Sequence, residues 1–483
     1  MIKQLLLSAF ALILLGNVQA QDELTSKLYE TYDDYKESSI VKRRIKHTDI
    51  QPLIEKFKAN PKFEVQKVGE SIQGRDLHLI SIGSGDSNIF LWSQMHGDEP
   101  TATQAIFDIL NFLDAPEFKE EKEAILSNLK LHFLPMLNPD GAEVFTRRNA
   151  LGIDINRDAL RLQSPEGQTL KRIRDSLDAD FGFNLHDQSK YYNAERTEKP
   201  ATISYLATAY NYKKDINEVR ANAMKVIVFM NRIIQNYAPG QVGRYSDDFE
   251  PRAFGDNIAK WGTSLILIES GGYPGDPEKQ EIRKLNYVSI LSALYTIANQ
   301  SYKDIPVEDY EKIPKNDRML FDLKIENVTY ELLGNDYIID LGIINHEVDL
   351  KGHNEFYYKS SVADQGDLST YSAYKTFDAE GYTIVQPKVA KVDRIDDPMQ
   401  LLKDGVAYVK TEKPEKSAFV HFPLILVEDT FKLRSFSMQP GANPTFFLKK
   451  DGKLTHAVIN GFLIDLSKPL EQQSTGNGLI NGK

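Results

Sequence analysis

Two periodicities alternate along residues 61–302. Short apolar runs at Leu77–Ile82, Ile89–Gln94, Lys130–Leu137, Phe181–Leu185 and Ser264–Ile268 read as buried strands. Between them, apolar residues recur at helical spacing: Ile106, Ile109, Leu110 and Leu113 within Thr101–Leu113, and Ile216, Val219, Ala223, Val226, Met230 and Ile234 within Lys213–Tyr237. A last helix is expected over Glu278–Ala298, and Asn138-Pro139-Asp140-Gly141 is a turn signal at a strand end. Strands alternating with helices predict an α/β domain with a covered, largely parallel sheet over 61–302. Residues 21–60 are polar and helix-prone, a lead-in expected to pack on that domain.

After residue 302 the pattern changes. Pro306–Asp317 is charged and punctuated by proline, which predicts a linker over 303–317. Residues 318–467 then read as a β-rich region of one or two modules, with Leu320–Leu333 and Tyr337–Ile344 facing across Gly334-Asn335-Asp336. Phe446–Lys450 and Lys453–Ile459 face across Asp451-Gly452, a good hairpin turn. Lys413-Pro414-Glu415-Lys416 is a candidate inner boundary, and 468–483 is expected to be a frayed tail. At the other end, residues 1–20 combine a basic start at Lys3, an apolar run over Leu5–Leu15 and small residues around Val18-Gln19-Ala20. They predict a signal peptide cut before Gln21, hence a secreted or periplasmic protein with no membrane span after its removal.

Composition narrows the chemistry. A net charge of −11 argues against nucleic acid or anionic lipid as partners. With zero cysteines, any metal must be held by imidazoles and carboxylates. Ser93-Gln94-Met95-His96-Gly97-Asp98-Glu99 follows the apolar run at 89–92 and precedes the helix at 101, placing His96 and Glu99 where a strand turns into a helix. Three apart on a first helical turn, an imidazole and a carboxylate can grip one ion, although a surface histidine beside solvated acids has the same pattern. His186, at the end of Phe181–Leu185, could be a third ligand or a satisfied structural histidine. Glu269 ends the apolar strand Leu265-Ile266-Leu267-Ile268, as a catalytic acid or as a buried acid paired with an arginine. All of these lie just after strands, where ligands bind in open α/β sheets.

In this order the residues resemble the M14 family of zinc metallocarboxypeptidases, of the carboxypeptidase A type, over about 60–302. His96-Gly97-Asp98-Glu99 matches the family's ligand pair, and Ser71-Ile72-Gln73-Gly74-Arg75 its Ser-x-x-Gly-Arg segment. Asn138-Pro139-Asp140-Gly141 and Arg147-Arg148-Asn149-Ala150-Leu151-Gly152-Ile153-Asp154-Ile155-Asn156-Arg157 carry its most specific pattern. The resemblance implies a carboxypeptidase-like mixed, largely parallel sheet flanked by helices, followed by a β-rich C-terminal extension. It also implies one zinc per chain held by His96, Glu99 and His186. Glu269 is implied as the catalytic glutamate and Arg147 as the oxyanion holder, with Arg148 the alternative. Asn156 and Arg157 are implied to bind the substrate's terminal carboxylate, and Arg75 to line the substrate path unless it forms a surface salt bridge.

The resemblance thins around the substrate. Tyr245 stands at about the distance expected of the family's mobile tyrosine, or is an ordinary packed aromatic. For the preferred side chain, Phe254 suggests an apolar pocket, Asp256 a basic preference and Arg252 an acidic one. The implied partner is a peptide or peptide-like substrate with a free carboxylate. The alternatives are a zinc amidase acting on γ-glutamyl or other cell-wall peptide bonds, and a non-catalytic peptide- or glycan-binding protein on the same fold.

Overall fold

The computed structural model describes residues 23–410, 422–433 and 436–473. The signal peptide expected at 1–20, the candidate boundary at Lys413–Lys416 and most of the expected tail lie outside them. The chain divides into two units at Arg318 and Met319.

In the first unit the helices are α1 (23–30), α2 (His47–Lys58), α3 (Thr101–Asp114), α4 (Lys119–Asn128), α5 (Pro139–Glu143), α6 (Pro165–Leu177), α7 (Glu218–Ile234), α8 (Phe254–Lys260) and α9 (Gln280–Ala298). The strands are β1 (Glu64–Glu70), β2 (Asp76–Ile82), β3 (Ser87–Ser93), β4 (Leu129–Leu134), β5 (Phe181–Asp187), β6 (Asn193–Ala194), β7 (Ile203–Ala207), β8 (Val242–Arg244), β9 (Ser264–Ser270) and β10 (Asn316–Asp317). Eight of them form one sheet in the order β1-β2-β4-β3-β5-β9-β7-β8. The centre, β4-β3-β5-β9, is parallel. Antiparallel pairing enters on both sides of it, at β1-β2-β4 and at β9-β7.

The apolar runs of the central strands are split by pleat. Ile89 and Leu91 join a core with α1, α2, α3, α7 and α9, while Phe90 and Trp92 join a second core with α6 and α8. A sheet covered on both faces has no polar side to show, so its strands read as unbroken hydrophobic runs. The lead-in contributes Leu24, Leu28, Tyr32, Leu53, Ile54 and Phe57 to the first core. There the Tyr32 hydroxyl donates to Asp108, which also accepts from Arg283 Nε at 2.7 Å.

Several expectations are corrected. The stretch expected as a linker at 303–317 is packed into the first unit: Tyr310 is fully buried and its hydroxyl accepts from Ala207 N, and β10 pairs with β6. Its charges and prolines serve short 3₁₀ turns that leave two aromatic and aliphatic anchors, Tyr310 and Ile313, pointing inward. The helix expected from Lys213 starts at Glu218, because the Asn217 side chain caps it by accepting from Arg220 N.

The second unit holds a sheet in the order β13 (Phe356–Gly366), β12 (Asn335–Asp349), β11 (Leu320–Leu332), β15 (Thr383–Val385), β19 (Phe446–Lys450), β20 (Lys453–Ile459), β21 (Phe462–Asp465). β14 (Ser372–Asp378) pairs with β11, and a smaller sheet joins β16 (Lys388–Lys391), β17 (Val406–Lys410) and β18 (Ile425–Val427). Asp451 and Gly452, at φ 51° and 76°, make the β19–β20 turn in the left-handed conformation that two-residue hairpins need. No helix among the described residues is long and apolar enough to cross a membrane.

Candidate active site

His96 and Glu99 stand on the turn between β3 and α3, where Glu99 N donates to His96 O at 3.2 Å. They precede the helix, whose N-cap is Pro100, and are not on its first turn as expected from the spacing. Gly97 between them is pressed against the turn before Arg147: a Cβ there would fall 2.0 Å from the Gly141 carbonyl carbon. The Asn138 side chain ties that turn together, accepting from Gly141 N and donating to Arg147 O. Farther along, the Asn149 side chain accepts from Leu151 N and Ile153 N, shaping the loop that delivers Asp154.

The sheet brings in the other two groups. β5 and β9 are parallel neighbours in which His186 pairs with Glu269 and Asn184 with Leu267. Period two puts Asn184 and His186 on one face of the sheet, with Leu267 and Glu269 beside them. One Glu99 oxygen lies 2.8 Å from His96 Nδ1 and the other 2.7 Å from His186 Nδ1. The ligating atoms of the three residues lie within 4.8 Å of one another, all buried.

A buried carboxylate between two imidazoles is a strongly coupled cluster. Burial opposes protonation of His96, but the Glu99 charge and bonds from Asp154 and Glu99 outweigh it and lift the imidazole to about 9. For His186 burial wins over the pull of Glu99, and its pKa is lowered. Burial works against ionised Glu99, yet the two histidines hold it well below the carboxylate range. His96 is oriented from behind by Asp154, whose Oδ1 lies 3.2 Å from His96 Nε2. A carboxylate on the far imidazole nitrogen is the arrangement that fixes a metal-binding histidine. Two imidazole nitrogens and one carboxylate oxygen converging at one buried point fit a divalent zinc.

Glu269 is buried opposite this cluster, with Oε2 lacking any partner among the described residues. Burial, then the charge of Glu99, pushes its carboxyl well above the ordinary value. Arg147 reaches the same point: Nε donates to Asp154 at 3.0 Å, and Nη1 lies 3.1 Å from His96 Nδ1 and 3.4 Å from Glu99. Arg148 instead donates to Gly152 O in an exposed contact.

A cavity of about 340 Å³ opens beside the cluster, lined by Glu269, Arg147, Asn156, Arg157 and Tyr245 among others. Asn156 accepts from Phe254 N through Oδ1, and Arg157 Nη1 donates to the Asn156 carbonyl while Nε faces Glu250 at 3.5 Å. The Tyr245 ring meets Tyr192 edge-on at 5.9 Å, and burial with the Glu269 charge raises its phenol above the usual value. Of the two readings of Arg75, the salt bridge is the one seen: it pairs with Asp140 at 2.6 Å and is not among the residues lining the cavity. Of the side-chain candidates, Phe254 is buried in the second core and Arg252 sits on the surface against Glu250, leaving Asp256 on the cavity wall. Sequence reasoning did not single out Asn184 or Thr208, which also line it. Only the position of Asn184 two residues before His186 on one strand signalled it.

Residues 50–196 match the zinc carboxypeptidase family model. The chain is similar to carboxypeptidase SOL1 of Arabidopsis thaliana, 29% identical over 176 residues that are 30% of this chain and 35% of that one. It is similar to the carboxypeptidase N catalytic chain of Homo sapiens, 27% identical over 19% of this chain and 25% of that one. These matches thus span about a third or less of the relatives' lengths. A metallo-carboxypeptidase structure from Burkholderia cenocepacia aligns with a TM-score of 0.43 at 14% identity, covering 53% of this chain and 69% of that one. The segment 50–196, which carries His96, Glu99, Arg147 and His186, is thus similar to the zinc carboxypeptidases.

Proposed function

We propose that this protein is an exported metallocarboxypeptidase that uses one zinc per chain to hydrolyse the C-terminal amide bond of peptides. The observation that carries the reading is the convergence of His96, Glu99 and His186 on one buried point, with Glu269 and Arg157 in the adjoining cavity. His96, Glu99 and His186 would hold the metal. When bound, zinc supplies a Lewis acid that polarises the scissile carbonyl and acidifies a water.

The other steps belong to the chain's own residues. Glu269, buried with a free oxygen, takes a proton from the attacking water and delivers it to the leaving amine. Its raised affinity for a proton in the absence of metal suits a group that must hold one between those two events. Arg147 turns from His96 and Glu99 toward the developing oxyanion. Arg157 presents its fork to the terminal carboxylate beside Asn156, which makes the enzyme an exopeptidase. Tyr245 covers the bound residue from the cavity wall. Export rests on the basic and apolar start at 1–20.

The test is digestion of a mixed peptide library, read by mass spectrometry with and without a zinc chelator. Chelator-sensitive loss of single C-terminal residues is expected. A zinc-loaded protein that trims nothing overturns the reading.

A further inference from the structure

Glu99, His186 and Glu269 stand on three segments of the chain, and one buried ion pair ties the three together. Asp187 directly follows His186 at the end of β5. Its Oδ2 accepts from Thr101 Oγ1 at 2.6 Å and from Lys279 Nζ at 2.9 Å. Thr101 opens α3, just after Glu99 and Pro100. Lys279 Nζ also donates to the Ser270 carbonyl at 2.9 Å, and Ser270 directly follows Glu269 at the end of β9. One carboxylate oxygen and one ammonium thus grip the chain immediately beside each of the three residues.

Neither charge is placed there cheaply. The Asp187 and Lys279 side chains are only 7% and 12% exposed. Desolvating two charges can cost more than their attraction returns, so stability alone is a weak reason for such a pair. Asp187 Oδ1 is buried without a partner among the described residues, so the bonds of this carboxylate all run through Oδ2 to the segments beside the site. Lys279 is also held at φ 53°, in the left-handed region that residues with a Cβ rarely occupy. Asp276 keeps it there: its side chain accepts from Gln280 N and Glu281 N at 2.8 Å each, and its carbonyl from Lys279 N at 3.1 Å. That turn brings the lysine from the start of α9 back to the end of β9.

Resting on the proposed carboxypeptidase activity, we infer that Asp187 and Lys279 are positioning residues, which hold Glu269 at its working distance from the metal ligands Glu99 and His186. The β5–β9 ladder already fixes Glu269 relative to His186. The bonds from Thr101 and Lys279 to Asp187 add Glu99 to the same frame and pin the end of β9. Proton transfer needs heavy atoms within about 2.6–3.2 Å, so a small shift of Glu269 acts on the chemical step rather than on binding.

The experiment measures kcat, KM, zinc content and melting temperature of the full chain on a peptide that it cleaves. Asp187→Asn/Lys279→Met removes both charges together, so no lone buried charge is left. Its kcat is expected to fall by about tenfold or more, with KM within about threefold and zinc at the wild-type level. Thr101→Val removes only the hydroxyl bond and should lower kcat by about threefold or more. Asp108→Asn, at the other ion pair between α3 and α9, is the structural control: melting temperature falls while kcat of the zinc-loaded protein stays within about twofold. A kcat within twofold of wild type in the double variant or, should that variant not fold, in Thr101→Val overturns the inference and leaves the carboxypeptidase intact. A loss of kcat in Asp108→Asn as large as in the double variant also overturns it, because the effect is then one of stability. A zinc-loaded wild type that cleaves no peptide overturns both.

Discussion

His186 and Glu269 are register partners on adjacent parallel strands, so a single pair of neighbours sets the proposed metal ligand beside the proposed proton carrier. Neither depends on a flexible loop for its position. That rigidity suits a site where an error of a fraction of an ångström is expensive in rate.

If Glu269 carries the proton, Glu269→Gln keeps shape and volume and removes only the basic oxygen. Turnover should fall by roughly 10²–10⁴-fold while zinc content, measured by metal analysis, stays at the wild-type level. Near-normal turnover in this variant would exclude the role given to Glu269. His186→Ala should by contrast lose both metal and activity.

Asp154 acts through His96. Asp154→Asn keeps an oxygen near His96 Nε2 but removes the charge that orients the ring and also holds Arg147. Zinc affinity should drop about 10–100-fold in competition with a chromophoric chelator. An affinity unchanged within twofold would show that the ring is oriented by packing alone.

Zinc uptake should release a proton at neutral pH. Without metal the His96 imidazole titrates at about 9, so it is protonated at pH 7 and must give up that proton to coordinate. Apparent affinity should therefore rise with pH toward about 9 and fall as the pH is lowered. Calorimetry in two buffers of different ionisation enthalpy reads the proton directly, and identical heats in both would contradict it.

His132 predicts an acid-sensitive step away from the site. It is buried, with Nδ1 2.7 Å from Ser81 Oγ and Nε2 3.1 Å from Asn88 Oδ1, and burial lowers its pKa from 6.5 to about 4. Between those values the unfolded chain binds a proton that the folded one refuses, so stability is full above about 6.5 and declines as the pH falls toward 4. The loss from this one group is on the order of 2–3 kcal/mol. Urea titrations of wild type and His132→Gln at pH 7.5 and 4.5 should show a smaller pH-dependent loss in the variant.

Much of the first unit was legible in the sequence because its central strands are buried on both faces and its motifs are short. The runs at 89–92 and 264–268 could hardly be anything but covered strands, and His96, Glu99, His186 and Glu269 each follow one. β1, β7 and β8 were missed: β1 is a half-exposed edge strand without a clear apolar alternation, and β8 is only three residues long. Residues 303–317 read as a linker because local charge and proline say nothing about Tyr310, whose burial depends on β7 and α7 far away in the chain.

By itself, then, the sequence determined the central strands and the long helices α3, α7 and α9 of the first unit, and which residues with metal-binding or acid–base side chains stand at strand ends. Those signals are local, carried by periodicity and by spacings of a few residues. Only the tertiary structure decided that Arg75 serves Asp140, that Phe254 belongs to the core and that Asn184, Thr208 and Asp256 share one cavity. These three come from separate segments, and side chains distant in sequence meet only through strand order and helix packing, which no window along the chain records.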